Sequence, residues 1–255
     1  VYKRQLPDPA LPLERLRGLP LGATTWRGYS SNIEALTRAA PAAGFFNSIT
    51  DEDGVVRSLP LLAEYQGQYY ESLALAMFRT AIGLPEIHPG FVNPTPVGTH
   101  DLLQNIVLRQ DGRTLALPVD QQLATLIPYR GPGDAKGGSF RYISASDVLD
   151  GVLPPGQLKD QLVLVGSTAP GLLDLRVTPV GRTYPGVETH ANVLSAFLDG
   201  KSIVRPDYAA GFDVLQLLCA GLLLAVALPL LSASSAVLLS ACVVSALLGL
   251  NLWMY

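Results

Sequence analysis

VLQLLCAGLLLAVALPLLSASSAVLLSACVVSALLGLNLWMY, residues 214–255, contains no Lys, Arg, Asp, Glu or His. A hydrocarbon core about 30 Å thick is crossed by about 20 apolar residues in a helix, and this stretch supplies that length twice. Leu, Ala and Val occur on every face of both halves, without the polar face that marks a helix lying on a protein surface. Two membrane spans are therefore expected, over residues 212–231 and 236–253. The reversal between them is Ser232, Ala233, Ser234 and Ser235, and Pro229 stands near the end of the first span, where a helix stops at small cost. Cys219 and Cys242 both fall inside the spans, where cysteine packs as a small hydrophobe.

The charge lies entirely upstream of this tail. All 18 basic and 21 acidic residues occur within residues 1–213, for a net charge of −3 with no basic stripe. Nucleic acid is accordingly not an expected partner. The two spans inflate the 49% hydrophobic content, and the remainder has an ordinary composition with enough residues for one substantial domain. Val1 is not an initiator Met, so a preceding segment is expected. Loop charge does not fix the orientation, because the Ser-rich reversal carries no Lys or Arg.

Turn and periodicity signals divide the charged part. Residues 1–20 are rich in Pro and Leu and read as a linker or docking arm, within an N-terminal arm extending to residue 43. A short helix is expected over 31–40, capped by Ser30 or Ser31. Residues 44–49 and 55–62 read as two strands of a hairpin around Asp51-Glu52-Asp53-Gly54. After a turn at 66–68, residues 72–82 have helical spacing and Gly83 stops them. A second hairpin is expected from 105–108 and 114–117 through Asp111-Gly112, followed by a strand at 125–129 and a loop at 135–138. Ser144 or Ser146 can cap a short helix through Leu149. The apolar run 161–166 reads as a strand covered on both faces and is the expected centre of the sheet. A final helix starts at Pro185, carries Val187, Ala191, Leu194 and Leu198 as its apolar stripe, and ends at Asp199-Gly200. Strands and helices interleave, which places the core at 44–200 in the α/β class: a mixed sheet with covering helices, joined by a connector at 201–211 to the membrane hairpin.

Read together, GFFNSITDEDGVVRSLPLL (44–62), YYESLALAMFR (69–79), RYISASDVLDG (141–151) and LVLVGSTAPGLLDLRVTPVGRTYPGVETHANVLSAFLDG (162–200) resemble the type-two CHASE domain, an extracytoplasmic sensor family. In that family the sensor follows one membrane anchor and precedes a short bundle of membrane helices leading to a cytoplasmic output domain. The resemblance implies a multi-pass protein of the inner (plasma) membrane whose sensor lies outside the cytoplasm. It also implies that the first anchor, the last span and the catalytic end are not in this chain. Class III adenylate cyclases are the frequent output, with histidine and Ser/Thr kinases as alternatives. A homodimer is expected, because such cyclases and histidine kinases act as dimers. Gly221, Ser240 and Gly249 are the small residues that would pack its membrane helices. A scaffold that binds a partner protein, and an enzyme using Asp174 and His190, are the readings from other classes.

The remaining motifs narrow the chemistry. Gly166-Ser167-Thr168-Ala169-Pro170-Gly171 looks like a phosphate-cradling loop, but no Lys-Ser/Thr follows the second Gly and there is no G-x-G-x-x-G. Asp51-x-Asp53-Gly54 starts like a calcium loop, but the twelfth position is Leu62 rather than Glu, so turn chemistry is the simpler reading. Ser167 lacks the G-x-S-x-G elbow of a hydrolase. Asp174, Glu188, His190 and Asn192 can converge near the end of the 161–166 run. Glu188 and His190 are two residues apart, however, and point about 200° from each other on a helix, which argues against a shared metal. A hydrogen bond from His190 to Asp174 or to a backbone carbonyl is the plainer expectation. Arg57, Arg176 and Arg182 can receive an anion through forked hydrogen bonds. The candidate ligand-binding set is thus Arg57, Ser167, Thr168, Asp174, Arg176 and His190. The ligand or protein partner outside the cytoplasm is unknown; no catalytic residue, metal or cofactor is expected.

Overall fold

The computed structural model describes residues 6–12, 16, 21–92, 102–133, 138–168, 174–204 and 209–254. The chain divides into two units, Val1–Val204 and Arg205–Tyr255. In the first, β1 (Leu11–Pro12), α1 (Glu34–Ala39), β2 (Ser58–Pro60), β3 (Leu62–Tyr65) and β4 (Gln68–Glu71) lead into α2 (Leu73–Ala81). Then come β5 (Glu86–Val92), β6 (Leu102–Gln110), β7 (Arg113–Pro118), β8 (Ala124–Leu126) and α3 (Ala145–Leu149). The hairpin β9 (Leu175–Thr178) and β10 (Gly181–Pro185) runs directly into α4 (Gly186–Asp199).

This is a mixed α/β architecture whose strands lie in four small antiparallel sheets, ordered β1-β4-β3, β2-β8, β5-β6-β7 and β10-β9. Local turn chemistry builds two of the hairpins. Gln66-Gly67 and Asp111-Gly112 both take the left-handed conformations that match the twist of paired strands, closing β3 onto β4 and β6 onto β7. The helices α2 and α4 bury Ala74, Leu75 and Phe78 against Val193, Leu194 and Phe197, and this layer covers Leu59, Leu61 and Leu62 from the strands.

Both long helices of this unit end as their sequences dictate. Ser72 caps α2, its hydroxyl accepting from Leu75 N–H at 3.4 Å. Gly200 closes α4 at φ 64°, a left-handed conformation in which a Cβ would be strained. Ser72→Ala should cost about 1 kcal/mol, the usual effect of losing a hydroxyl cap. Urea unfolding followed by Trp26 fluorescence in a Trp253→Phe background would measure it.

Several expectations are corrected. The first residues are not merely an arm: Leu11 and Leu16 belong to the core, and Ala10 N–H bonds Tyr69 O at 2.8 Å as β1 adds to β4. Residues 44–62 close on themselves only across the turn, where Asp51 N–H donates to Val55 O at 3.0 Å. The Asp51 turn forms, with Gly54 N–H on Asp51 O at 2.9 Å, but its flanks pair elsewhere. Val56 N–H bonds Val177 O, Ile127 N–H bonds Arg57 O, β2 pairs with β8, and Phe45 makes only an isolated bridge to Ser72. The helix α1 begins after Ile33 with no side-chain cap, rather than at Ser30 or Ser31. Ser144 occupies the cap position of α3, but its hydroxyl engages Ser146 instead. Most of the loop expected at 135–138 lies outside the described residues.

The largest correction concerns residues 161–166. They form no strand, and Leu162, Val163 and Val165 are exposed, Val165 to 88%. The apolar stripe assigned to α4 holds only at Leu194, which is buried: Val187 and Ala191 are half-buried and Leu198 is exposed. The buried face carries Glu188, Thr189, His190, Asn192, Val193, Leu194, Ala196 and Phe197.

In the second unit α5 (Ala209–Ala227) is extended by a 3₁₀ turn, Leu228–Leu230, that contains Pro229, and α6 (Ala233–Met254) follows. Windows Gly211–Leu230 and Ala233–Leu252 both have a mean hydropathy of 2.1, long and apolar enough to cross a membrane. Ser232 starts the return helix: its carbonyl accepts from Ala236 N–H at 2.9 Å, and its hydroxyl lies 2.9 Å from that of Ser235. Half-buried positions recur along each helix at three- and four-residue spacing. On α5 they include Gln216, Ala220 and Leu224; on α6, Ser240, Val243, Leu247 and Asn251. The two helices meet along this seam. Gly221 and Gly249 face away from it, with open space where a Cβ would stand. Ser240 sits on the seam and donates to Ala236 O at 2.9 Å.

Candidate functional site

Four buried polar residues of the first unit, Glu188, Thr189, His190 and Asn192, lie on the first two turns of α4. Pro185 can precede the helix because its missing N–H would have had no helical acceptor there. Gly186 N–H donates to Asp174 O at 2.7 Å, tying the helix start to the residue before β9. Across the β9–β10 ladder Arg176 stands opposite Tyr184. Its guanidinium lies 3.6 Å from Asp174, both side chains about one-third exposed, a separation worth little in solvent.

His190 is 2% exposed, and its Nε2 lies 3.0 Å from Phe46 O. A carbonyl only accepts, so Nε2 carries the proton, and Nδ1 of the neutral ring is left buried without a partner. Burial pulls the His190 pKa below its ordinary value, against the opposing influence of the Phe46 carbonyl and the Asp174 charge. The consequence for stability has a definite sign. The unfolded chain takes up a proton near pH 6.5 while the folded ring resists it, so stability is lost as pH falls below about 6.5 and the loss ends at the folded pKa. The thermal midpoint should drop between pH 7 and 5.5, and a His190→Gln variant should show a shallower drop in the same scan.

Glu188 is 3% exposed on the other side of the helix. Tyr142 donates its hydroxyl to Oε1, while Oε2 is buried without a hydrogen-bond partner. Tyr184, fully buried, accepts from Asn192 Nδ2 at 2.7 Å; burial, and after it the Glu188 charge, raises its pKa above the ordinary tyrosine value. Asn192 also donates to Glu188 O at 2.7 Å and accepts from Arg130 N–H at 3.0 Å. Arg130 pairs with Asp199 at the far end of α4. The Tyr129 ring packs edge-on against Tyr184 at 5.1 Å, and its hydroxyl donates to Val56 O at 2.9 Å. One polar spine therefore ties α4 to β10, to residues 129–130 and to the segment bearing Tyr142.

The structure brings together part of the sequence-derived set. Asp174, Arg176 and His190 gather around the start of α4. Ser167 and Thr168 are exposed and follow Gly166, which presses on the first turn: a Cβ there would fall 2.6 Å from Val187 Cβ. Arg57 stands apart. Its terminal nitrogens bond Asp51 at 2.7 Å and Asp53 at 2.9 and 2.7 Å, beside an open depression of about 500 Å³. That fork holds the Asp53 carboxyl at a pKa of about 2, and Asp53 also accepts from Val55 N–H, so the acidic group acts as turn chemistry. Glu188 and His190 are both buried but contact different neighbours, as their angular separation requires. Among the described residues no group of three or more His, Cys, Asp or Glu is placed to hold a metal ion.

Sequence reasoning missed Tyr142, Tyr184 and Arg130, which reach α4 from other segments and carry no local motif. It also missed the Arg79–Glu71 pair, in which Arg79 Nη1 lies 2.7 Å from both carboxylate oxygens. Burial raises the Glu71 pKa despite that partner. The pair borders a second depression of about 410 Å³, walled by Pro7–Ala10 and Pro41–Ala43.

A mixed α/β unit is followed by two helices long and apolar enough to cross a membrane. The family model of the CHASE2 domain matches residues 11–230, from the start of β1 to the last residue of the 3₁₀ turn after α5. The chain belongs to the CHASE2 family, whose domains are extracytoplasmic sensory domains of signalling receptors. No curated protein and no solved structure matches it.

Proposed function

We propose that this chain is the extracytoplasmic sensory module of a multi-pass inner-membrane receptor that controls a cytoplasmic class III adenylate cyclase and works as a homodimer. The supporting observation is that a single family match, over residues 11–230, takes in both the α/β unit and α5. A signal molecule or protein partner would engage the surface beside α4, drawing on the exposed Ser167 and Thr168 that follow Gly166 and on Asp174 and Arg176 at the start of the helix, which His190 anchors. Binding there has to favour one of two arrangements of the unit, because only differential affinity shifts a conformational equilibrium. Arg57 is a weaker candidate, since its donors already meet Asp51 and Asp53.

The test uses the intact parent protein in membranes supplied with ATP. Formation of cyclic AMP, altered by Asp174→Asn or Arg176→Gln without loss of membrane insertion, supports the reading. Protein phosphorylation without cyclic AMP would replace the cyclase with a kinase output.

A further inference from the structure

The hairpin contains one side-chain hydrogen bond from helix to helix among its described residues. Asn251 Nδ2 lies 3.4 Å from Gln216 Oε1 and 2.9 Å from Leu247 O. Both side chains are half-buried on the seam, and Gln216 Nε2 is enclosed without a partner. The pair lies at the end of the hairpin opposite the Ser232 reversal, where α5 continues into the chain of the sensory unit. Elsewhere the seam is made of Ala220, Leu224, Val243, Leu247 and the self-satisfied Ser240. Such contacts slide past one another at little cost, because hydrocarbon tails are as apolar as the side chains. An amide pair does not slide in this way: displacing it breaks the Asn251–Gln216 hydrogen bond and leaves half-buried polar groups on the seam without each other.

We infer that Gln216 and Asn251 form an intramembrane clamp that fixes the register of the hairpin at its open end, so that a displacement of α5 carries α6 with it. A shift of α5 by one residue turns Gln216 by about 100° and takes it off the seam, which makes the clamp sensitive to rotation as well as to translation. The inference depends on the two helices spanning the membrane, and the experiment separates failure of that premise from failure of the clamp.

Antiparallel packing that sets residue 216 against 251 sets Ala220 opposite Leu247, one turn deeper. Ala220→Cys and Leu247→Cys, in the full chain with Cys219 and Cys242 replaced by Ala, report the local register through their rate of intramolecular disulfide formation in membranes. Gln216→Leu, Asn251→Leu, the double variant and the exchanged pair Gln216→Asn/Asn251→Gln are compared. The clamp predicts at least a fivefold slower reaction in each Leu variant, no further loss in the double variant, and recovery in the exchanged pair. Unchanged rates in the Leu variants, or losses that add in the double variant, would overturn it. Retention of every variant in alkali-washed membranes confirms the premise; release of the parent chain by alkali refutes the premise instead.

Discussion

Replacing Asn192 by Leu should destabilise the first unit by about 3 kcal/mol or more. The amide makes three hydrogen bonds in a site that is 1% exposed, and Leu removes all of them without filling their roles. Arg130 N–H loses its acceptor, Tyr184 its donor, and Glu188 O one of its partners. A buried group left unsatisfied costs about 1–3 kcal/mol, and dismantling a buried network is among the few changes that exceed the usual range for point substitutions. Urea denaturation of the chain in detergent, followed by Trp26 fluorescence in a Trp253→Phe background, gives the value. Leu198→Ala, on the exposed side of the same helix, serves as the reference and should stay within about 1 kcal/mol. A loss below 1 kcal/mol in Asn192→Leu would mean that the polar spine does not hold α4 in place.

The second large effect is expected at Phe197. Its ring lies 5.4 Å from that of Phe78, and the two join α4 to α2 in the layer over Leu59 and Leu61. Truncation to Ala leaves a cavity that neither helix can close, because α2 is fixed by its Ser72 cap and the Arg79–Glu71 pair while α4 is fixed by the spine. The expected loss is about 3–5 kcal/mol by the same unfolding measurement, against about 1 kcal/mol for the volume-sparing Phe197→Leu. Equal effects of the two substitutions would show that the helices relax into the space.

What the sequence made legible depended on how local the cause was. The two long apolar helices of the tail, α2 with its stop at Gly83, α4 between Pro185 and Gly200, and the β6–β7 hairpin around Asp111-Gly112 are all specified by neighbours within a few residues. The pairing of β2 with β8, and the burial of Leu11 and Leu16, depend on segments far apart in the chain, which no turn residue announces. The run at 161–166 was misread for a related reason: a short apolar stretch has no period to show what covers it. The stripe on α4 holds at Leu194 but not at Val187, Ala191 or Leu198, because hydrophobicity identifies a buried face only when that face is apolar, and here Glu188, His190 and Asn192 are buried with partners of their own. At the site, the sequence pointed to Asp174, Glu188, His190 and Asn192, and to a backbone carbonyl as a partner for His190. It could not supply Tyr142, Tyr184 or Arg130, whose role arises only when three separate segments meet on one helix.

The central claim is that the CHASE2 unit stands outside the cytoplasm on a membrane hairpin. Lys159 is exposed, and Lys159→Cys in a chain whose Cys219 and Cys242 are replaced by Ala provides a single thiol on that unit. In right-side-out membrane vesicles a membrane-impermeant maleimide should label it fully before any detergent is added. Labelling that appears only after the membrane is opened would place the unit on the cytoplasmic side and contradict the account.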